Sequence, residues 1–202
     1  MISKIFQIIA ASIVLSVSSF ASAALILQVD LSVENTITIN ALAENSSATV
    51  SGADTTGFYF DNFFANGSVN ALGHSLISGD LTSALNTSDG TPSLFRHFSS
   101  DPGLNVFSYT DDAQSIFTLG ELAFTGQASW TVSAGAYADA LNGALSGDVY
   151  FAADDFGDLP GAQILGTWEA IVDQVPGQVP EPSTFAIIAL GLLGFTVRKF
   201  KK

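Results

Sequence analysis

The sequence predicts an all-β domain, a single β-sandwich-like or jelly-roll-like unit set between two apolar ends. Apolar and polar residues alternate along several short runs, turn signals separate those runs, and no long amphipathic helix interrupts them. The first run is the clearest. Leu25, Leu27, Val29, Leu31 and Val33 alternate with Ile26, Gln28, Asp30, Ser32 and Glu34, which is the period of a strand with one buried and one wet face. Further strands are expected over residues 36–42, 48–51, 58–64, 93–98, 105–109, 116–125, 129–132, 148–152 and 164–172. Ser51-Gly52, Asn66-Gly67, Ser78-Gly79-Asp80, Asp89-Gly90, Asp101-Pro102-Gly103 and Asn142-Gly143 mark turns between them. Residues 134–145 suit a short helix, with Gly135 and Gly143 weakening the pattern. The match between residues 76–81 and 144–149 is one pair of similar turns and not a solenoid period.

The amino terminus reads as a secretory signal peptide over residues 1–23. Lys4 supplies the positive start, Ile5 to Val17 the apolar stretch, and Ala21-Ser22-Ala23 the small residues of a cleavage site, with the cut expected between Ala23 and Ala24. An uncleaved anchor is the weaker reading, because the apolar run falls short of the roughly 20 residues that cross a hydrocarbon core. The expected partners are therefore the Sec translocon and signal peptidase. Residues 24–173 form the expected extracytoplasmic domain, and 174–178 a linker that contains Pro176 and Gly177.

At the carboxyl end Val179, Pro180, Glu181, Pro182, Ser183 and Thr184 lead into an apolar span from Phe185 to Val197, which Arg198, Lys199, Lys201 and Lys202 terminate. Basic residues directly after the span keep that end cytoplasmic and leave the preceding chain outside. The prolines remove backbone donors and keep the junction extended, so a protease can reach it. Together the motif, span and basic end over residues 179–202 resemble the PEP-CTERM sorting domain of exported bacterial proteins. The resemblance implies a C-terminal transmembrane sorting helix, cleavage near the motif by an exosortase, and a precursor held transiently in the inner membrane. It also implies a setting of exopolysaccharide production in Gram-negative bacteria, with the processed chain at the cell surface or in the extracellular matrix. The competing sortase signal is absent, since Leu159-Pro160-Gly161-Ala162 lacks the required Thr and Gly. A removed lipid-anchor tail would lack both the Pro-Glu-Pro element and the basic cluster.

Charge narrows the partners further. Lys4 and the four tail cations account for five of the six Lys and Arg residues, and Glu181 is the one acid of 19 outside residues 24–179. The 18 remaining acids and the single cation, Arg96, give that stretch a net charge of −17. Nucleic acid and anionic membrane are bound chiefly through Lys and Arg, so nucleic acid is excluded as a partner and the surface reads as solubilising. The absence of cysteine removes disulfides, thiolate nucleophiles and cysteine metal sites.

Catalytic signals are weak. Gly73-His74-Ser75-Leu76-Ile77 begins like a nucleophile elbow but ends in Ile, and lacks the strand-to-helix context. His74 and His97 are the only histidines, and His97 follows Arg96 within an alternating run that suits a strand face. Oxygen ligands gather at Asp154-Asp155 with Asp158, at Asp111-Asp112, and at Asp61-Asn62 with Asn66, which suits calcium, although none follows the EF-hand spacing. Asp154, Asp155 and Asp158 are the calcium candidates; otherwise no cofactor is expected, and ordinary solvated turns account for such clusters. Asn45, Asn66 and Asn86 match a glycan-acceptor spacing that arises readily in a sequence rich in Asn and Ser.

Two functional classes follow. The first is a noncatalytic surface or matrix protein associated with exopolysaccharide or biofilm. The second is a carbohydrate-binding module, or a glycoside hydrolase, using Tyr59, Tyr109, Tyr137, Trp130 or Trp168 to stack on sugar rings and paired carboxylates for hydrolysis.

Overall fold

The structure is a computed structural model and describes residues 23–53, 56–65, 72–85, 92–96, 101–108 and 114–172. Residues 1–22, the expected linker 174–178, the sorting segment, Asn66, Asn86, His97, Tyr109, Asp111 and Asp112 lie outside the described residues. Among the described residues strands make up 49% and helix 6%, which fixes the class as all-β.

In chain order the elements are β1 (Leu25–Asp30), β2 (Thr36–Ala41), β3 (Val50–Ala53), β4 (Phe58–Phe60), β5 (Ser75–Gly79), β6 (Thr82–Ser83), β7 (Pro92–Phe95), β8 (Leu104–Ser108), β9 (Gln114–Phe117), β10 (Phe124–Thr125), β11 (Gln127–Thr131), α1 (Ala134–Leu141), β12 (Ser146–Phe151) and β13 (Gln163–Ile171). Nine strands form one nearly closed sheet in the order β5-β11-β2-β1-β13-β12-β4-β8-β7, and two ribbons, β10-β6 and β3-β9, complete the domain.

Within the large sheet β1 and β13 pair in parallel, whereas the other pairings are antiparallel. The first and last strands are therefore neighbours at its centre. Parallel strands need a long crossover, and here nearly the whole domain is that crossover. A consequence is that Leu25 lies beside Thr167 while Asp30 lies beside Ile171, so the two chain ends leave from opposite ends of the central pair.

Aromatic rings fill the space on the core face. Phe60 packs on Trp168 with ring centroids 5.2 Å apart, and Phe63 reaches the same indole at 5.3 Å. Phe117 of the β3-β9 ribbon contacts Phe151 of the sheet at 4.9 Å and Phe124 of the other ribbon at 5.2 Å. Phe58 closes the circuit on Phe124 at 4.8 Å. Rings of this size bury about 150–250 Å² each, which lets a chain without cysteine hold a core by packing alone.

The differences from the sequence expectation have local causes. The first strand stops at Asp30; Asn35 turns the chain at φ 56°, and Val33, expected on the buried face, is 60% exposed. The run 58–64 keeps strand geometry only to Phe60, because Asn62 adopts φ 55° and Phe63 and Phe64 enter the core from a turn. A turn at Gly120, φ 80°, splits 116–125 into β9 and β10. The helix begins as expected, with Ser133 Oγ accepting from the Ala136 N–H at 3.2 Å, but ends at Leu141. Gly143 lies against Phe63, where an added Cβ would sit 2.0 Å from the Phe63 carbonyl oxygen. Strands β5 and β6 add to those the sequence predicts, and all five β5 residues are exposed.

Candidate functional site

Three polar groupings stand apart from the apolar core. The first surrounds Tyr59, which alternation along β4 turns away from the face that Phe58 and Phe60 share. Tyr59 lies opposite Asn105 of β8, and its hydroxyl donates a short hydrogen bond to Asp101 Oδ1. That oxygen also accepts from the Gly103 N–H at 2.8 Å. Tyr59, Asp101 and Asn105 are all essentially inaccessible to solvent. Gly103 is required there because an added Cβ would overlap the tyrosine ring. Burial first, and then the hydrogen bond to Asp101, push the Tyr59 hydroxyl pKa far above its ordinary value.

Arg96 completes this grouping. Its Nε donates to the Asp101 carbonyl oxygen at 2.8 Å, its guanidinium lies 4.2 Å from the Phe64 ring centre, and Nη1 stands 3.7 Å from Asp139 Oδ2 on α1. The side chain is only 5% exposed. The one cation of the stretch before the sorting segment thus ties a loop, a core ring and the helix together, rather than meeting a ligand at the surface.

The second grouping is an open cleft of about 470 Å³ across β1, β13 and β12, lined by Ala23, Leu25, Ser146, Asp148, Thr167 and Glu169 among others. Register explains it. Asp148 opposes Thr167 and Ser146 opposes Glu169, so these four side chains share one sheet face. Gln28 donates to Glu169 Oε1 at 3.5 Å, and Tyr150 donates to Asp148 Oδ2 at 3.4 Å. The Tyr150 pKa is raised, by burial foremost and then by Asp148 and Asp61. Asp148 and Glu169 are diagonal neighbours on adjacent strands, a relation that sets backbones about 7–8 Å apart. On this open face Glu169 is exposed and Asp148 half-buried.

The third grouping is the loop after β12, where Asp154, Asp155 and Asp158 each bring a carboxylate oxygen within 4.8 Å of the others. The sequence expectation that these three converge is met geometrically. The loop is also wound on itself: Gly157 N–H donates to Asp155 Oδ1 at 2.5 Å, and Gly161 N–H to the Asp158 carbonyl at 2.9 Å. Calcium takes six to eight oxygens, so the carboxylates would provide part of such a shell and carbonyls or water the remainder.

The other candidates separate. Ser75 opens the exposed strand β5, and burial lowers the pKa of the neighbouring His74. Asp61 Oδ2 accepts from Asn62 Nδ2 at 2.8 Å, while Asn66 lies outside the described residues. Of the rings proposed for sugar stacking, Tyr59, Trp130 and Trp168 are buried, which corrects that expectation, and Tyr137 spends its hydroxyl on the Leu31 carbonyl at 2.6 Å. Sequence reasoning missed Asp148 and Glu169 as a shared feature. The available signal was the outward polar row of each strand, Ser146 with Asp148 and Thr167 with Glu169.

Among the described residues no helix is long and apolar enough to cross a membrane. Residues 178–202 match the family model of the PEP-CTERM protein-sorting motif. No curated protein matches the chain, and neither does any solved structure. The match marks the chain as an exported, membrane-anchored precursor with an exosortase as its partner.

Proposed function

We propose that this is a noncatalytic surface or extracellular-matrix protein of a Gram-negative bacterium, released from the inner membrane by an exosortase and associated with exopolysaccharide or biofilm. The observation that carries the reading is the match over residues 178–202. Export through the Sec translocon, with signal peptidase cutting after Ala23, is the amino-terminal half of the same proposal. The fate of the competing candidates supports the noncatalytic part: three of the five stacking rings are buried, and the cleft carboxylates lie on an open face.

Comparison of producing cells with and without a working exosortase tests the proposal. In the deficient strain the chain should accumulate at full mass in the membrane fraction, and the surface population should be lost. The same shortened species at the surface in both strains would sink it.

Calcium held by Asp154, Asp155 and Asp158 is a second reading of that loop, beside the reading of ordinary solvated turns. Millimolar calcium should raise the melting temperature beyond sodium chloride of equal ionic strength, and Asp155→Asn should remove that excess. Equal melting temperatures in the two salts would dismiss the ion, because only screening would remain.

A further inference from the structure

We infer that β13 is a load-bearing strand, a mechanical clamp that keeps the domain folded when tension reaches it through the chain that follows Ile171. The inference goes beyond the proposed surface role and needs only the membrane-anchored precursor.

The chain leaves the domain from the end of β13, the longest strand among the described residues, and runs on to the sorting motif at residues 178–202. An exit from an edge strand would let a pull peel hydrogen bonds away singly. β13 instead lies inside the nine-stranded sheet, with β1 on one side and β12 on the other. The parallel register with β1 runs from Leu25 beside Thr167 to Asp30 beside Ile171. It is closed at its two ends by bonds of 2.7 Å, from the Thr167 N–H to the Ala24 carbonyl and from the Leu31 N–H to the Ile171 carbonyl. On the other side, residues 146–151 of β12 pair with residues 163–169 of β13. Ladder bonds run across strands, perpendicular in antiparallel pairs and slanted in parallel ones. A pull along β13 therefore loads both ladders together. Because the chain enters β1 at Leu25 and leaves β13 at Ile171, drawing the two ends apart slides these strands past each other and does not unzip them.

Sliding is blocked as well as loaded. A slip of two residues restores side-chain alternation along a strand, so alternation alone would not hold β13 in place. Both of its pairings are irregular: β1 shifts register between Leu25 and Leu27, and β12 between Val149 and Tyr150. Bulges of this kind pin register, because a displaced ladder no longer matches them. Gly166 adds a steric stop. A Cβ there would lie 2.6 Å from the Ala24 carbonyl oxygen and 2.7 Å from Ile26 Cγ2. Movement of β13 toward its carboxyl end brings first Leu165 and then Ile164 to that seat, which has no room for either side chain. The two-residue step would also draw the buried Trp168 away from Phe60 and Phe63, whose ring centroids lie 5.2 and 5.3 Å from it, and leave Gly166 in its place.

The chain has no cysteine, so force handles can be placed through paired cysteine substitutions in the full chain, refolded in detergent. Ser22→Cys with Asp173→Cys slides β1 and β13 past each other. Ser146→Cys with Asp173→Cys pulls on the same end of β13 from the adjoining end of β12, since Ser146 opposes Glu169, and opens that ladder one pair after another. In single-molecule pulling at one loading rate, the first pair should unfold the domain at a force at least about twice that of the second, because forced unfolding follows the barrier along the loaded direction. Equal forces, or a weaker first pair, at matched melting temperatures of the two chains would overturn the inference. Should Ser146→Cys not fold, Leu145→Cys serves at the same end of β12, where the Leu145 carbonyl accepts from the Ala170 N–H at 2.7 Å. Both forces are read on the uncut chain, so they leave the exosortase reading to its own test.

Discussion

Tyr59 shows how far one buried hydroxyl can govern the stability of this domain. Its bond to Asp101 Oδ1, with the Gly103 N–H beside it, is what makes a solvent-inaccessible carboxylate tolerable. Tyr59→Phe keeps the ring and removes the donor, so it should cost about 1–3 kcal/mol in a urea titration. Because the folded-state Tyr59 pKa is raised, its contribution is present below the unfolded value near 10 and is lost as pH climbs toward the folded one. Wild type should therefore lose stability above about pH 10, and the phenylalanine variant should lose less over the same interval. Equal alkaline losses would contradict this assignment. At this scale the sequence was only partly legible. Counting charges singled out Arg96, yet nothing in its neighbours revealed that the guanidinium would be buried against Phe64, the Asp101 carbonyl and Asp139. Asp101 looked like a turn residue beside Pro102 and Gly103, and it is one, but the turn folds inward over Tyr59 because Gly103 lacks a side chain.

At the scale of elements, strands with one apolar face were readable, and those that lack one were not. β2 and β12 carry alternation because one face meets the core, whereas in β1 an irregularity between Leu25 and Leu27 leaves Ile26, expected on the wet face, buried along with Leu27. β5 has no buried face, so Leu76 and Ile77 follow one another with no period to detect. The break between β9 and β10 was equally hidden, since Phe117 and Phe124 are both core rings and only the conformation of Gly120 separates them. Pairing is the part no local pattern encodes. β1 joins β13 across the whole domain, and the Thr167 hydroxyl reaches the Ala23 carbonyl at 3.4 Å. The peptide bond expected to be cut thus lies within the docked strand edge of the folded domain. Precursor refolded in detergent should resist signal peptidase at least about tenfold relative to precursor kept unfolded in urea that the peptidase tolerates, because the folded chain must first open locally. Equal cleavage rates would show that this edge detaches freely.

At the scale of the whole molecule, a strongly acidic stretch precedes the matched sorting motif. Net charge of this size promotes solubility while opposing close approach of like-charged copies and polyanions. Screening by salt or by calcium should relax that opposition. The sorting motif was legible in sequence, because it is carried by composition and order, and residues 178–202 match its family model. The cleft was not, because it exists only once three strands from opposite ends of the chain are brought into register. The central claim is that this chain is exported, cut at both ends and released. Intact mass and terminal peptides of the native protein, compared across membrane, surface and medium fractions, test it most directly. The account predicts a surface species that begins at Ala24 and ends near Pro180, Glu181 and Pro182. A surface population that retains residues 185–202 would make the protein a permanent tail-anchored one and contradict it.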